Sequence, residues 1–244
     1  MRLFKKKQKH GWFKSKLSWE DTKKQCVGYD DRKIAIKSFN NSKKSSSGEL
    51  LPYAIISELQ FIARNKSELN ILDFGGGFGN LFNQVSRYLP DIKINWNIVE
   101  QESYVELGSA NVPDVNFYSS IDQVKDKVDV VIASGVLQYL QDPRDVINQL
   151  LNLNPEHIII DRLPVFLKKQ REDTITIQKS PKDIYGFDAS YPCWIFDEKY
   201  IVNNFIGGRI NYEMNARFYS HQDCRNYVVV DKSGVDFMGY YFKR

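Results

Sequence analysis

The stretch Ile71-Leu72-Asp73-Phe74-Gly75-Gly76-Gly77-Phe78-Gly79-Asn80 decides the fold. Its first half is a short apolar run that glycines stop. Asn80 then opens a segment with Leu81, Phe82, Val85 and Leu89 on one helical face, closed by Pro90. A strand therefore passes directly into a helix through Gly75, Gly76, Gly77 and Gly79, where the backbone turns sharply and a ligand approaches without a Cβ in its way. A dinucleotide fingerprint asks for G-x-G-x-x-G facing a pyrophosphate. Here the spacing is G-x-G-x-G, position 80 is Asn, and Asp73 stands two residues before the first glycine. A carboxylate in that place repels a pyrophosphate and suits a cationic amine or sulfonium. A purely structural turn would use the same glycines.

Outward from this point the pattern alternates. Upstream, Pro52 opens a helix on which Ala54, Ile55, Ile56, Leu59, Ile62 and Ala63 recur at helical spacing. Downstream, residues 70–74, 93–100, 115–118, 128–133 and 157–160 read as five strands, with helices over 103–110 and 142–151 between them. Residues 209–218 and 239–242 read as a sixth strand and a last one. Strands alternating with helices imply βαβ units, a mostly parallel sheet and right-handed crossovers. Wholly apolar strands such as 128–132 are what a sheet covered on both faces requires. In such α/β sheets ligands sit at the carboxyl ends of the strands, near the point where strand order reverses.

Two further elements end at that place. Glu100 closes the second strand 21 positions after Gly79, where a carboxylate accepts hydrogen bonds from both hydroxyls of a ribose. The fourth strand runs into Ala133, Ser134 and Gly135, then Val136-Leu137-Gln138-Tyr139-Leu140 and an Asp142-Pro143 helix start. A buried strand followed by an apolar turn is the plain alternative. Taken with Asp73, the set favours S-adenosylmethionine over NAD.

In this order and at these spacings, Asp73 to Gly79, Val99-Glu100 and the block from Asp129 to Pro143 resemble the class I S-adenosylmethionine-dependent methyltransferases, over about residues 52–165. The resemblance implies a Rossmann-like α/β fold whose seven-stranded, mostly parallel sheet ends in an antiparallel strand and carries helices on both faces. It also implies that Asp73, Gly75, Gly76, Gly77 and Gly79 hold the methionine part of the cofactor, Glu100 its ribose, and Gln101 the adenine side. The family often places an acid after the third strand; here Ser119 and Ser120 stand there, and Ser134 follows the fourth. A narrower likeness rests on Trp19-Glu20-Asp21 with Gly28-Tyr29-Asp30, on Asp161-Arg162-Leu163-Pro164 and on Ser190-Tyr191-Pro192-Cys193-Trp194. These are similar to bacterial methyltransferases associated with surface-polysaccharide gene clusters, which implies a sugar or glycan-precursor acceptor.

Charge is unevenly spread. Residues 1–24 carry nine Lys/Arg against Glu20 and Asp21, whereas the other 220 residues sum to −3. An acidic body lacks the basic stripe of a nucleic-acid groove. The tail reads as a solvated basic start, a candidate for contact with an anionic membrane surface. Residues 1–50 are taken as a basic extension and cap, 51–244 as the methyltransferase domain, and 166–200 as a substrate-side insertion or lid. Residues 40–48 read as a loop. Cys26, Cys193 and Cys224 form no C-x-x-C pair, which argues against a zinc site or disulfide framework and suits a cytoplasmic protein. No run is long and apolar enough for a membrane span.

Methyl transfer to oxygen needs a proton removed from the acceptor. His221 is the candidate base if the sixth strand runs parallel and opens its loop at the ligand end; an ordinary surface histidine is the alternative. Asp161 is the second candidate. Arg162 can bind an acidic substrate group or pair with a neighbouring carboxylate. Tyr185, Tyr191 and Trp194 are read as a pocket wall or lid, with core packing as the rival. His157 begins the fifth strand and so reads as structural. No metal is implied, because Ser134 stands where a carboxylate ligand would be wanted. An NAD-dependent oxidoreductase and a non-catalytic S-adenosylmethionine-binding module are the competing readings.

Overall fold

In the computed structural model the described residues are 10–27, 32–43, 51–167, 172–180, 182, 188–200, 211–220 and 234–244. The alternating pattern is realised as expected. Strand β2 (Glu68–Phe74) pairs in parallel with β3 (Lys93–Val99) and β5 (Val130–Ser134). Strand β4 (Asn116–Tyr118) lies outside β3, and β6 (His157–Phe166) follows β5, again in parallel. Strand β10 (Val235–Lys243) runs antiparallel to β6, and β9 (Glu213–Tyr219) antiparallel to β10. Two reversals make β9 parallel to β6, so the sixth strand has its expected direction, and the antiparallel strand is wedged between the two.

Helix α3 (Tyr53–Ala63) precedes β2, and helices α4 (Asn80–Val85), α5 (Glu102–Asn111) and α6 (Pro143–Asn152) lie in the crossovers that follow β2, β3 and β5. Helix α4 is shorter than its apolar face suggested: a tighter turn at Ser86–Tyr88 takes over before Leu89. Ile55, Leu59, Leu69, Ile71, Trp96 and Ile98 fill one side of the sheet. Leu72, Val131, Leu150, Ile160, Tyr240 and Phe242 fill the other. Both faces of β5 are therefore buried, which is why its five residues are all apolar or small.

Three strands were not read from the sequence. Strand β7 (Thr174–Ser180) pairs antiparallel with β8 (Ala189–Asp197), and β1 (Gly11–Lys14) pairs antiparallel with β7. Residues 174–180 and 189–197 thus form a sheet extension rather than an irregular stretch. The basic start is likewise not wholly solvated, since Trp12 is 4% exposed and donates from Nε1 to Cys193 Sγ at 3.2 Å. Asn40 to Ser42, read as loop, close helix α2 (Arg32–Ser42), whose Ala35 and Phe39 pack with Phe78 and Tyr104.

Strand β6 joins the two parts. It was expected to end at Ile160 but continues to Phe166. Its residues 157–161 pair with β5, then Val165 and Phe166 pair with β8 on the same edge, because β10 occupies the other edge throughout. The added sheet therefore stands directly above the carboxyl end of β5. Among the described residues no helix is long and apolar enough to cross a membrane.

Candidate functional site

The glycine loop takes the shape its sequence demands. Gly75, Gly77 and Gly79 have φ of +71°, +60° and +78°, the left-handed region open to glycine. A Cβ on Gly76 would run into the Asp73 carboxylate, so that side chain lies against the loop from behind. Asp73 is 1% exposed and accepts Trp96 Nε1 at 3.2 Å. Burial pushes its carboxyl up to about 7, while the Trp96 hydrogen bond and the Arg162 charge pull it down and Glu100 adds to the rise. Glu100 accepts the backbone N–H of Gly77 at 3.3 Å on one oxygen and of Gln101 at 2.9 Å on the other. Burial raises its pKa, against those two hydrogen bonds. A carboxylate offers about four acceptor positions, so it retains room for two hydroxyls.

Opposite the glycine loop, β5 ends at Gly135, with φ +71°. Arg162 explains that glycine. Its guanidinium donates from Nε to Ser134 Oγ at 3.0 Å and from Nη2 to the Ser134 carbonyl at 2.7 Å, and it would lie 2.9 Å from a Cβ on Gly135. Arg162 is itself left-handed at φ +53°, a strained backbone for a long side chain, at the point where β6 changes partner from β5 to β8.

Gly75, Glu100 and Gly135 of this set face one cavity of about 420 Å³, whose lining does not include Asp73, Gly76, Gly77, Gly79 or Arg162. Gln101 lines it with them. Helix α1 (Trp19–Lys24), Cys26, Tyr139, Leu140 and β8 residues Ser190, Tyr191 and Pro192 also contribute to it. The segment carrying α1 is fastened to β8 by Val27 N–H to Ser190 Oγ at 2.9 Å and by Trp19 stacked on Trp194 at 5.4 Å. Trp19 and Lys23 were not singled out as site residues. Pairing of β1 with the distant β7, together with the contacts of the α1 segment with β8, brings them here, and no local pattern signals that.

Several expected residues stand elsewhere. Tyr191 lines the cavity, but Trp194 reaches it only through Trp19, its own Nε1 donating to the Leu140 carbonyl at 3.0 Å. Ser134 is turned to Arg162. Ser119 is held by Gln123 at the end of β4, and neither it nor Ser120 lines this cavity. Asp161 is 1% exposed and lines a separate hollow of about 140 Å³ with Tyr53, Phe218 and Tyr219. His221 and Tyr185 lie outside the described residues. His157 meets Tyr241 at 2.8 Å at the opposite end of the sheet, where burial lowers its pKa.

The family profile described as a methyltransferase domain matches residues 48–167, the span from the segment before α3 through β6. Over those residues the chain is similar to a methyltransferase domain. That stretch supplies Gly75, Glu100, Gln101 and Gly135 and also Val136 and Tyr139 to Gln141, while Trp19, Lys23, Cys26 and Ser190 to Pro192 come from residues outside it. No curated protein matches the chain in sequence. Solved structures match in fold. An S-adenosylmethionine-dependent methyltransferase from Clostridium acetobutylicum ATCC 824 is 13% identical with a TM-score of 0.51, over 78% of this chain and 89% of that one. The CcbJ methyltransferase from Streptomyces caelestis is 12% identical at 0.51, over 87% and 98%. The cyclase SpnF is 10% identical at 0.54, over 97% and 99%. The chain thus has the class I methyltransferase fold, a fold that one neighbour uses as a cyclase. Chemistry must be argued from the site.

Proposed function

We propose that the chain transfers a methyl group from S-adenosylmethionine to a hydroxyl of a small acceptor, with a sugar or glycan precursor as the favoured class. One observation carries the reading. Gly75 of the glycine loop, Glu100 and Gly135 line one cavity together with residues of other elements, which leaves a place for a second molecule.

The residues present suit the cofactor. Glu100 keeps acceptor positions for ribose hydroxyls, Gly75 to Gly79 let the backbone approach, and Asp73, whose carboxyl burial pushes up to about 7, favours a nearby cation in its ionised form. S-adenosylmethionine supplies a methyl group on a positively charged sulfur. When it is bound, a hydroxyl of the acceptor would take that methyl group as the C–S bond breaks with its electron pair left on sulfur, and the hydroxyl proton would pass to a base. Cavity walls hold the two molecules in line and keep water out. No imidazole stands among the described residues lining the cavity, so His221 remains the proposed base on sequence grounds, while Asp161, the second candidate from the sequence, lines the separate hollow instead.

Calorimetry with S-adenosylhomocysteine and with NAD tests the cofactor. Binding of the first and not the second is expected; the reverse overturns the reading in favour of an oxidoreductase. Cofactor binding without turnover on any acceptor would leave a binding module. His221→Ala should keep cofactor affinity and lose turnover, and unchanged turnover removes it as the base.

A further inference from the structure

The turn after β5 meets both the cavity and the glycine loop, and a side chain outside the cavity holds it. Gly135 and Val136 line the cavity. A Cβ on Gly75 would run into Val136, so the turn packs directly on the glycine loop. Arg162 is not in the cavity lining, yet it donates from Nε to Ser134 Oγ at 3.0 Å and from Nη2 to the Ser134 carbonyl at 2.7 Å. It also occupies the space that a side chain on Gly135 would need. The carbonyl of Arg162 accepts Gln138 Nε2 at 3.3 Å, from the far end of the same turn. Residues 134–138 are thus tied to Arg162 at both ends, which is what holds its strained φ of +53° in place. The guanidinium acts on Asp73 as well. Two charged groups bear on that carboxyl with opposite sign, Arg162 from β6 and Glu100 from the end of β3, while β5 and the glycine loop carry no charged side chain.

We propose that Arg162 is a positioning residue of the methyl-donor site: its planar fork fixes the Ser134–Gly135 turn against the glycine loop, and its charge acts on Asp73 at the corner where that loop begins. The inference rests on the methyl-transfer reading and names a residue that serves it from outside the cavity. The two roles depend on different properties of one side chain. Fixing the turn needs two donors in a rigid plane, which a lysine does not offer. Acting on Asp73 needs only a positive charge, which favours the ionised carboxylate over the neutral acid. A neutral acid at that corner would give the ammonium of the donor no charge to meet.

Trp96 Nε1–H donates to Asp73 and so reports its titration. Its proton and nitrogen resonances are followed by NMR from pH 5 to pH 9 without ligand, and Asp73→Asn, which does not titrate, identifies them. In the natural chain the midpoint should lie at about 7. Arg162→Met removes the charge and should move the midpoint up by about one pH unit, whereas Arg162→Lys keeps the charge and should leave it in place. Both variants lose the fork, so calorimetry at pH 8 should show both binding S-adenosylhomocysteine about tenfold more weakly. Arg162→Gln takes the place of Arg162→Met should the apolar side chain prevent folding. An unmoved midpoint in the uncharged variant, an equal shift in Arg162→Lys, or natural affinity in Arg162→Lys overturns the proposal. Failure of the natural chain to bind S-adenosylhomocysteine would instead strike the methyl-transfer reading, and the titration made without ligand still decides whether Arg162 governs Asp73.

Discussion

Replacing Asp73 by Asn separates the charge of the glycine corner from its shape. The carboxyl is buried, and burial moves it from 3.8 to about 7. Its folded pKa therefore lies above its unfolded one. Between those two values the folded chain holds a proton that the unfolded chain has released, so stability falls as pH rises through the window and levels off above it. From pH 5 to pH 8 this carboxyl should cost the ligand-free protein about 2.5 kcal/mol. Asn has the same shape, keeps an acceptor for Trp96 Nε1 and does not titrate. The melting temperature of Asp73→Asn, measured relative to the natural chain, should accordingly rise by roughly 5–10 °C more at pH 8 than at pH 5. Thermal unfolding followed by circular dichroism at both pH values, without ligand, reads the difference. The same gap at pH 5 and pH 8, or a gap that shrinks with rising pH, refutes the reasoning. With S-adenosylhomocysteine present the advantage should turn over, because its ammonium is stabilised by the ionised Asp73 and not by Asn.

Glu100→Ala removes the acceptor for ribose hydroxyls and for two backbone N–H groups, and calorimetry should show about a hundredfold weaker S-adenosylhomocysteine binding by a chain that stays folded. Gly135→Ala puts a side chain at φ +71° and 2.9 Å from the Arg162 guanidinium, so it should cost about 2 kcal/mol in denaturant unfolding and displace Arg162 from Ser134. Tyr241→Phe removes the hydrogen bond to buried His157 and should cost about 1 kcal/mol with no change in cofactor affinity, since the pair lies at the far end of the sheet.

The sequence made β2, β3, β5 and the glycine loop legible because local physics determines them: apolar runs buried on two faces, stopped by residues that can take positive φ. The extension of β6 was hidden by Asp161, Arg162 and Pro164, since two charges and a proline ordinarily end a strand, and only the change of partner from β5 to β8 lets the chain carry them. For β7 a signal did exist. Thr174-Ile175-Thr176-Ile177 alternates polar and apolar residues at period two, all of them β-branched, which is a strand signature. The cofactor wall came from neighbours in sequence and was readable. The acceptor wall did not. Trp19 and Lys23 face Tyr191 across more than 160 residues of chain, and nothing in the composition of residues 19–24 announces that meeting.

The pairing of Gly11 with Lys179 also sets an order of events during synthesis on the ribosome. The first strand emerges early but has no partner until residues 174–180 have left the exit tunnel, by which time β2, β3, β5 and most of their crossover helices have already been made. Such distant pairings close slowly, because the entropy of a long loop is lost before any contact rewards it. The proposed cofactor side of the pocket can thus be assembled on a chain whose proposed acceptor side is still open, and that side closes only when β1 returns to pair with β7.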